Sequence, residues 1–383
     1  MADFTFDPLD ADFLENPYPT FSELRQRHPL YWHEGMQSWV VSRYDDCLRI
    51  LRDTDVFGAD PRRFGQDLPK SRISVQTLDG AEHARIRDVI VTALQGTDQS
   101  IIEGRVDKLL GQLIKGLDST DSFDFVQSVA VPLTTKVSLS LFELPTESVG
   151  RVSDASIAIV RSMMHGLIPE GATTGLAERE IVTNTLDAWY EEADSGLLRT
   201  IRNMPQSEFV DRDALLNSLR VVLLAGINST QRLLALSLRA LLSREDGLRS
   251  FSSSPSRFQA INELVRFEGS AQSAARFCVK PIILHGRRIE EGQSIIALLG
   301  SANRDDRRFE DPDTLILDRR PNPHLGFGRG AHACVGIALA QSIGGVALEA
   351  LGRDYPLARL TGPAVIERNP ALRGLISLPV GLT

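Results

Sequence analysis

The sequence predicts a mainly α protein with a smaller β region, built as one continuous domain over residues 1–383. Three observations carry that expectation. Apolar residues recur at helical spacing along most of the chain, two regions alternate like strands, and no repeat, low-complexity tract or Pro/Gly-rich linker divides it. The longest polar, small-residue stretch, 252–257, reads as a loop between helices.

Taken in chain order, helical periodicity places helices over 21–27, 81–94, 101–117, 126–142, 176–192, 213–242, 256–266 and 335–351. Aromatic and β-branched residues flank Gly35 in 30–42, which reads as a strand pair. Short apolar runs broken by His285, Gly286 and Gly292 give a second strand region over 275–298.

Composition narrows the function classes. The chain carries 42 basic against 50 acidic residues, a formal net charge of −8, which argues against nucleic acid as the main partner. Hydrophobic residues are 42% and charged residues 24%, as in ordinary folded proteins with a large core. No uninterrupted apolar run approaches the about 18 residues of a membrane span, so no membrane partner is expected. The N-terminus carries acid where a secretory signal needs base. Three cysteines, Cys47, Cys278 and Cys334, are too few and too scattered for a disulfide framework, and a cytoplasmic location follows.

Cys334 stands out. It precedes an apolar helix, where N-terminal amides and the positive helix end favour thiolate over thiol. Gly328 and Gly330 allow a tight turn, and Gly336 lets the backbone approach a flat partner. A lone cysteine is ordinarily a small buried hydrophobe. Zinc and iron–sulfur sites both fail on ligand count, since His332 and Cys334 have no further ligands nearby. One thiolate beneath a large planar cofactor remains beside the core reading.

The order Phe327, Gly328, Gly330, His332, Cys334, Gly336 matches the pattern F-G-x-G-x-H-x-C-x-G and resembles the haem-binding signature of the cytochromes P450. The resemblance implies the cytochrome P450 fold, with haem b held between the central long helix and the cysteine-loop helix and Cys334 as axial iron ligand. It also implies that His83 and Arg87 (H-x-x-x-R), Arg276 and His332 meet the haem propionates. Glu263 and Arg266 match the family's E-x-x-R, and Arg319 completes its structural network. Ala302, Asn303, Arg304 and Asp305 resemble its A-N-R-D stretch, and Asn16, Pro17, Tyr18 and Pro19 its opening.

Within the long helix, Ala225 and Gly226 are small enough to pass close over a haem, or simply to pack against another helix. The family usually writes A-G-x-(D/E)-T-(T/S) here, which puts Asn228 at the acid and Ser229 at the threonine, with Thr230 beside it. Asn has no titratable proton to relay. A water chain through Ser229 and Thr230 is the expected replacement, ahead of a polar substrate or chemistry that needs no relay.

The resemblance places the substrate pocket among residues 57–77, 162–173, the central helix and 270–274, with Phe64, Ile73, Val75, Met163 and Met164 as apolar walls. Arg62, Arg63, Lys70 and Arg72 make the first of these basic, more readily a solvated face than a substrate cation. The implied activity is insertion of one oxygen atom into a small or mid-sized organic molecule by hydroxylation, epoxidation or O-dealkylation. Electrons would come from a ferredoxin or flavodoxin docking near Arg85 and Arg329. Oxidative coupling, peroxygenase or isomerase chemistry is the alternative, and a haem-dependent sensor a more distant one.

Overall fold

The computed structural model describes residues 4–117, 120–144, 149–162 and 172–382. Helices α1 (Ala11–Glu15) and α2 (Tyr18–Arg27) lead into the hairpin β1 (Leu30–His33) and β2 (Ser38–Val41), which turns around Gly35. Helix α3 (Tyr44–Arg52), strand β3 (Phe57–Gly58) and two short 3-10 turns, Pro61–Phe64 and Lys70–Arg72, follow.

The helical body then runs through α4 (Gly80–Gln95), α5 (Gln99–Ile114), β4 (Phe123–Asp124), a π turn Val126–Ala130 and α6 (Val131–Phe142). It continues with α7 (Val149–Ser162), α8 (Ala172–Glu192), α9 (Gly196–Arg202), α10 (Arg212–Leu242), α11 (Gly247–Ser252) and α12 (Arg257–Glu268). Strands β5 (Ser273–Cys278), β6 (Ile282–Leu284), β7 (Arg287–Ile289) and β8 (Ser294–Leu298) precede α13 (Leu299–Ala302). The cysteine loop feeds α14 (Ile337–Asp354), and short strands β9 (Arg359–Leu360), β10 (Val365–Ile366), β11 (Leu375–Ser377) and β12 (Pro379–Gly381) close the chain.

The main sheet has order β1-β2-β8-β5-β3, with β2 parallel to β8 and β5 antiparallel to it. That register sets Arg276 opposite Ile295. Strands from both expected regions, β1 and β2 with β5 and β8, therefore join one sheet although they are more than 230 residues apart in sequence, while β6 and β7 pair with each other in a separate hairpin.

Helix α10 spans 31 residues, about 46 Å at 1.5 Å per residue. Asp211 caps it by accepting from the Ala214 N–H at 2.8 Å. By length and composition it is the one helix among the described residues that could cross a membrane, but 72% of its most apolar stretch is buried in the fold. It threads two hydrophobic clusters. Leu215, Leu219, Leu223 and Ile227 pack with α4, α7, α8 and α9, whereas Leu233, Leu234, Leu238 and Leu241 pack with α5, α6, α11, α12 and α14. The polar segment Asn228, Ser229, Thr230, Gln231 and Arg232 falls between them.

Differences from the sequence expectation have local causes. Helix α5 stops at Ile114 rather than 117, where Gly116 takes φ +100°. Helix α14 starts at Ile337 rather than 335, so Cys334 belongs to the loop and Gly336 is the N-cap. Helices α3, α7, α9 and α11 and the C-terminal strands were not expected. Most are too short for periodicity to register.

Candidate functional site

The cysteine loop is held from below by a buried charge network. On α12 the i, i+3 spacing lets Arg266 reach Glu263, with Nε donating to Oε2 at 2.7 Å and Nη2 to Oε1 at 2.8 Å. Arg319 Nε adds bonds to both oxygens at 3.1 and 3.2 Å. The Ile316 N–H (3.0 Å) and Asn322 Nδ2 (3.1 Å) supply the rest. Glu263 is wholly buried, and Arg266 and Arg319 nearly so. The arginines spend their remaining donors on the carbonyls of Asn303, Glu310, Asp311, Pro312 and Thr314. The structure thus brings Glu263, Arg266 and Arg319 together and pins residues 303–322 around them.

The loop itself rests on that platform. The Leu325 N–H donates to Asn303 Oδ1 at 2.7 Å, and His324 shares a 3.0 Å bond with Asn262. Burial, with Arg329 and Arg266 nearby, pulls the His324 imidazole down to about 3, so it is neutral at working pH. Arg329 Nη2 donates to the His324 carbonyl at 3.0 Å, which gives this residue a bracing task besides any docking one. The Cys334 N–H closes the loop on the Phe327 carbonyl at 2.9 Å. Gly328 and Gly330 have φ of +66° and +73°, and a Cβ on Gly330 would lie 2.3 Å from the Leu51 carbonyl oxygen. Gly336 has no neighbour where a Cβ would project.

Cys334 is solvent-accessible yet deeply set, and it corrects one expectation. Burial pushes its thiol up, and neither the Gly336 N–H nor Arg87 reverses that. One amide at the N-cap is too little to make a thiolate in the chain alone.

Beside it, the His83 and His332 rings lie 4.2 Å apart, centroid to centroid. His83 is 3% exposed and its Nε2 is buried without a hydrogen-bond partner. Burial, then His332 and Arg87, pull the His83 imidazole down to about 4, with Arg276 adding to the effect. His332 Nε2 is 3.2 Å from Asp79 Oδ1, an acid that sequence reasoning missed. Asp79 Oδ2 also accepts from the N–H groups of Ala59 (2.8 Å) and Asp60 (3.0 Å). Burial alone would raise this carboxyl, but the His332 bond and the two amides outweigh it and bring it to about 2. The available signal was its place immediately before the helix that carries His83 and Arg87.

Val335 and Leu339, just after the cysteine, border the same hydrophobic cluster that holds Val222, Leu223 and Ile227 of α10. Ala225 is exposed and Gly226 and Ser229 half-buried on an otherwise buried helix. A Cβ on Gly226 would stand 3.2 Å from Ser138 Oγ of α6, so this glycine serves helix packing. Ser229 Oγ donates to the Ala225 carbonyl at 2.7 Å, and Ser270 Oγ donates to the Ser229 carbonyl at 3.3 Å. Thr230 is buried.

Asn228 is not a free water-positioning group. Its Nδ2 donates to Ser156 Oγ of α7 and to the Leu224 carbonyl, and its Oδ1 accepts from Arg232 Nη1 at 3.0 Å. Arg232 in turn grips Glu367 through bonds of 2.7, 2.9 and 3.0 Å.

Among the expected pocket walls, Phe64 lies against Phe277 at 5.8 Å, and Val75 sits in the core with its N–H on Ser218 Oγ at 2.9 Å. Met163 and Met164 lie outside the described residues. Arg62 pairs with Asp60 and Glu82, and Arg63 with Asp79, as members of a solvated face.

With this geometry in place, the comparisons agree. The family model for cytochrome P450 matches residues 258–377. The chain is 29% identical to the cytochrome P450 monooxygenase PikC of Streptomyces venezuelae, over 97% of this chain and 92% of that one. It is 26% identical to the epothilone C/D epoxidase of Sorangium cellulosum, over 98% and 95%. It is 25% identical to the polyketide biosynthesis cytochrome P450 PksS of Bacillus subtilis, over 100% of both. The solved PksS structure superimposes with a TM-score of 0.89, covering 99% and 100%. The chain belongs to the cytochrome P450 family and is an oxidoreductase of that kind.

The family implies a haem, and the residues present fit one. An accessible sulfur, a glycine with open space two residues on, and an orphaned buried imidazole nitrogen among Arg87, Arg276 and His332 form a cationic seat for a flat, dianionic group.

Two predictions follow from this geometry. Glu263→Gln strands two buried guanidinium groups and is expected to cost about 3–5 kcal/mol in denaturant unfolding, whereas a loss under about 1 kcal/mol would contradict the network's role. Asp79 has a depressed folded-state pKa, so its stabilisation is present above its unfolded value and is lost as pH falls from about 4 to about 2. Over that window the wild type is expected to lose about 2 kcal/mol more than Asp79→Asn, and parallel acid-unfolding curves would contradict it.

Proposed function

We propose that this chain is a monooxygenase working as one catalytic domain over residues 1–383. In this reading it inserts one oxygen atom from O2 into a mid-sized organic molecule of secondary metabolism, by hydroxylation, epoxidation or O-dealkylation. The observation that carries the reading is an accessible Cys334 on a glycine loop, followed by Val335 and Leu339, which border the same cluster as Val222, Leu223 and Ile227 of α10. The epoxidase and the polyketide-biosynthesis relative support the substrate class.

Cys334 would hold haem b, with His83, Arg87, Arg276 and His332 receiving its propionates and Phe327, Gly328 and Gly336 shaping the loop beneath. Bound through a cysteine thiolate, haem supplies oxygen activation, because the thiolate pushes electron density onto iron and favours O–O cleavage. Burial favours the Cys334 thiol in the chain alone, so the residue would have to give up that proton to hold the iron as a thiolate.

Ser229 Oγ donates to the Ala225 carbonyl at 2.7 Å; turned from that bond it would pass its proton to a group beside the helix while accepting another from a water on its far side, so the hydroxyl ends unchanged. Ser270 lies next to it, with its Oγ on the Ser229 carbonyl at 3.3 Å. Asn228 moves no proton. It ties α10 to α7 and, through Arg232 and Glu367, to the C-terminal segment, with Ala225 left exposed beside Ser229.

Ser229→Ala is expected to divert electrons to hydrogen peroxide, and unchanged product per NAD(P)H consumed would sink the relay. Asn228→Asp is expected to give no faster turnover, because Arg232 holds the new carboxylate ionised; a clear gain would show that a missing acid limits the reaction.

Electrons would arrive from a ferredoxin or flavodoxin at the exposed Arg85, with Arg329 mainly bracing the loop. Arg85→Glu is expected to slow reduction and flatten its salt dependence, whereas unchanged reduction kinetics would place docking elsewhere.

The doubly engaged Asn228 favours a second reading, oxidative coupling, peroxygenase or isomerase chemistry with no acid relay. Turnover with ferredoxin and oxygen supports the first reading. Turnover with peroxide alone, and none with ferredoxin and oxygen, supports the second.

A further inference from the structure

Asp79 sits where three segments meet. It directly precedes α4, the helix that carries His83 and Arg87, with extended backbone (φ −127°, ψ 173°). An acid at that position ordinarily turns its side chain back onto the first N–H groups of the helix. Asp79 does not. His332 Nε2 instead lies 3.2 Å from its Oδ1 and donates to it, since a carboxylate ionised at neutral pH has no proton to give. Its Oδ2 accepts from the Ala59 and Asp60 N–H groups at 2.8 and 3.0 Å, with Arg63 Nη1 3.6 Å away. A Cβ on Gly58 would stand 2.6 Å from that same oxygen, so the backbone leaving β3 is laid directly on the carboxylate.

His332 has little else to hold its ring. It ends the short 3-10 turn Gly330–His332, two residues before Cys334, in a loop wedged against the end of α3. There a Cβ on Gly330 would meet the Leu51 carbonyl oxygen at 2.3 Å. Among the described residues the bond to Asp79 is the ring's one hydrogen bond, and the His83 ring lies 4.2 Å away, centroid to centroid. A charge-assisted bond to a fixed acceptor selects one direction for an imidazole that a short loop leaves free. The acceptor is fixed because the amides of residues 59 and 60 hold its other oxygen. The loop after β3, α4 and the cysteine loop thus share one carboxylate, just as α12 and residues 303–322 share Glu263.

We propose that Asp79 is a positioning residue for haem binding. Through Oδ1 it holds the His332 ring at the haem seat, and through Oδ2 it locks the backbone of residues 59 and 60 to the same point, so that the two loops keep register together. The proposal rests on the reading that places His332 at the haem propionates.

The test follows haem transfer from the loaded protein to excess apomyoglobin at neutral pH, in wild type, Asp79→Ala, His332→Ala and the double variant. Asp79→Ala is expected to release haem at least fivefold faster than wild type. The double variant is expected to stay within twofold of His332→Ala, because the carboxylate acts through that ring. A smaller change in Asp79→Ala, or a double variant more than twofold faster than His332→Ala, overturns the proposal. If Asp79→Ala yields no haem protein, Asp79→Ser takes its place, since serine suits the start of a helix but is too short to reach His332. The same two criteria apply to it.

Hydrogen exchange of the loaded proteins reads the second oxygen. Residues 57–63 are expected to exchange at least fivefold faster in Asp79→Ala and at the wild-type rate in His332→Ala; wild-type exchange in Asp79→Ala overturns the shared tie. The haem reduction potential separates positioning from mere support of the fold. It is expected to rise in Asp79→Ala, because a carboxylate beside the haem seat repels the added electron. An unmoved potential overturns the proposal. The carbon monoxide difference spectrum of the wild type reports the haem–thiolate centre by itself, so failure of that reading is distinguishable from failure of Asp79 as its positioning residue.

Discussion

Everything on the cysteine side of the molecule depends on one fully buried carboxylate. Glu263 is stable in the interior only because two guanidinium groups, a backbone N–H and an amide nitrogen saturate its lone pairs. The cost of burying the ion is offset by geometry alone, so Arg266, Arg319 and residues 303–322 are fixed together. Asn303 then positions Leu325, and the loop can carry two positive-φ glycines and a cysteine without secondary structure of its own. The precision of the site comes from charge pairing beneath it.

A second constraint acts through α10. This helix belongs to two hydrophobic clusters, and its polar segment falls where neither cluster claims it. Asn228 and Arg232 clamp that segment from the outside, to α7 and to Glu367. Arg232 passes so close to Gly374 that a Cβ there would stand 2.7 Å from its Cγ. Small and hydroxyl side chains are thereby left on the inner side. Where the family usually places an acid, this chain has a structural tie.

Much of this was legible in the sequence. The long helices and both strand regions follow from periodicity, and the cysteine loop from six matched positions. Glu263 and Arg266 could be paired from their spacing. Other features were hidden because they are relations between distant segments. Asp79 shows its role only when His332, 253 residues later, comes to 3.2 Å. The direction of Asn228 depends on Ser156 and Arg232. The Cys334 thiol was misjudged because sequence shows a nearby helix end but not the burial that outweighs it. Phe64 and Val75 read equally as pocket or packing until their neighbours were seen.

The central claim is that Cys334 supplies the sulfur that binds iron. Iron-edge X-ray absorption of the haem-loaded protein, compared with Cys334→Ser, tests it most directly. One sulfur scatterer in the first coordination sphere of the wild type, absent from the variant, is the predicted result. A nitrogen- and oxygen-only sphere in the wild type, or a sulfur that persists in Cys334→Ser, would contradict it.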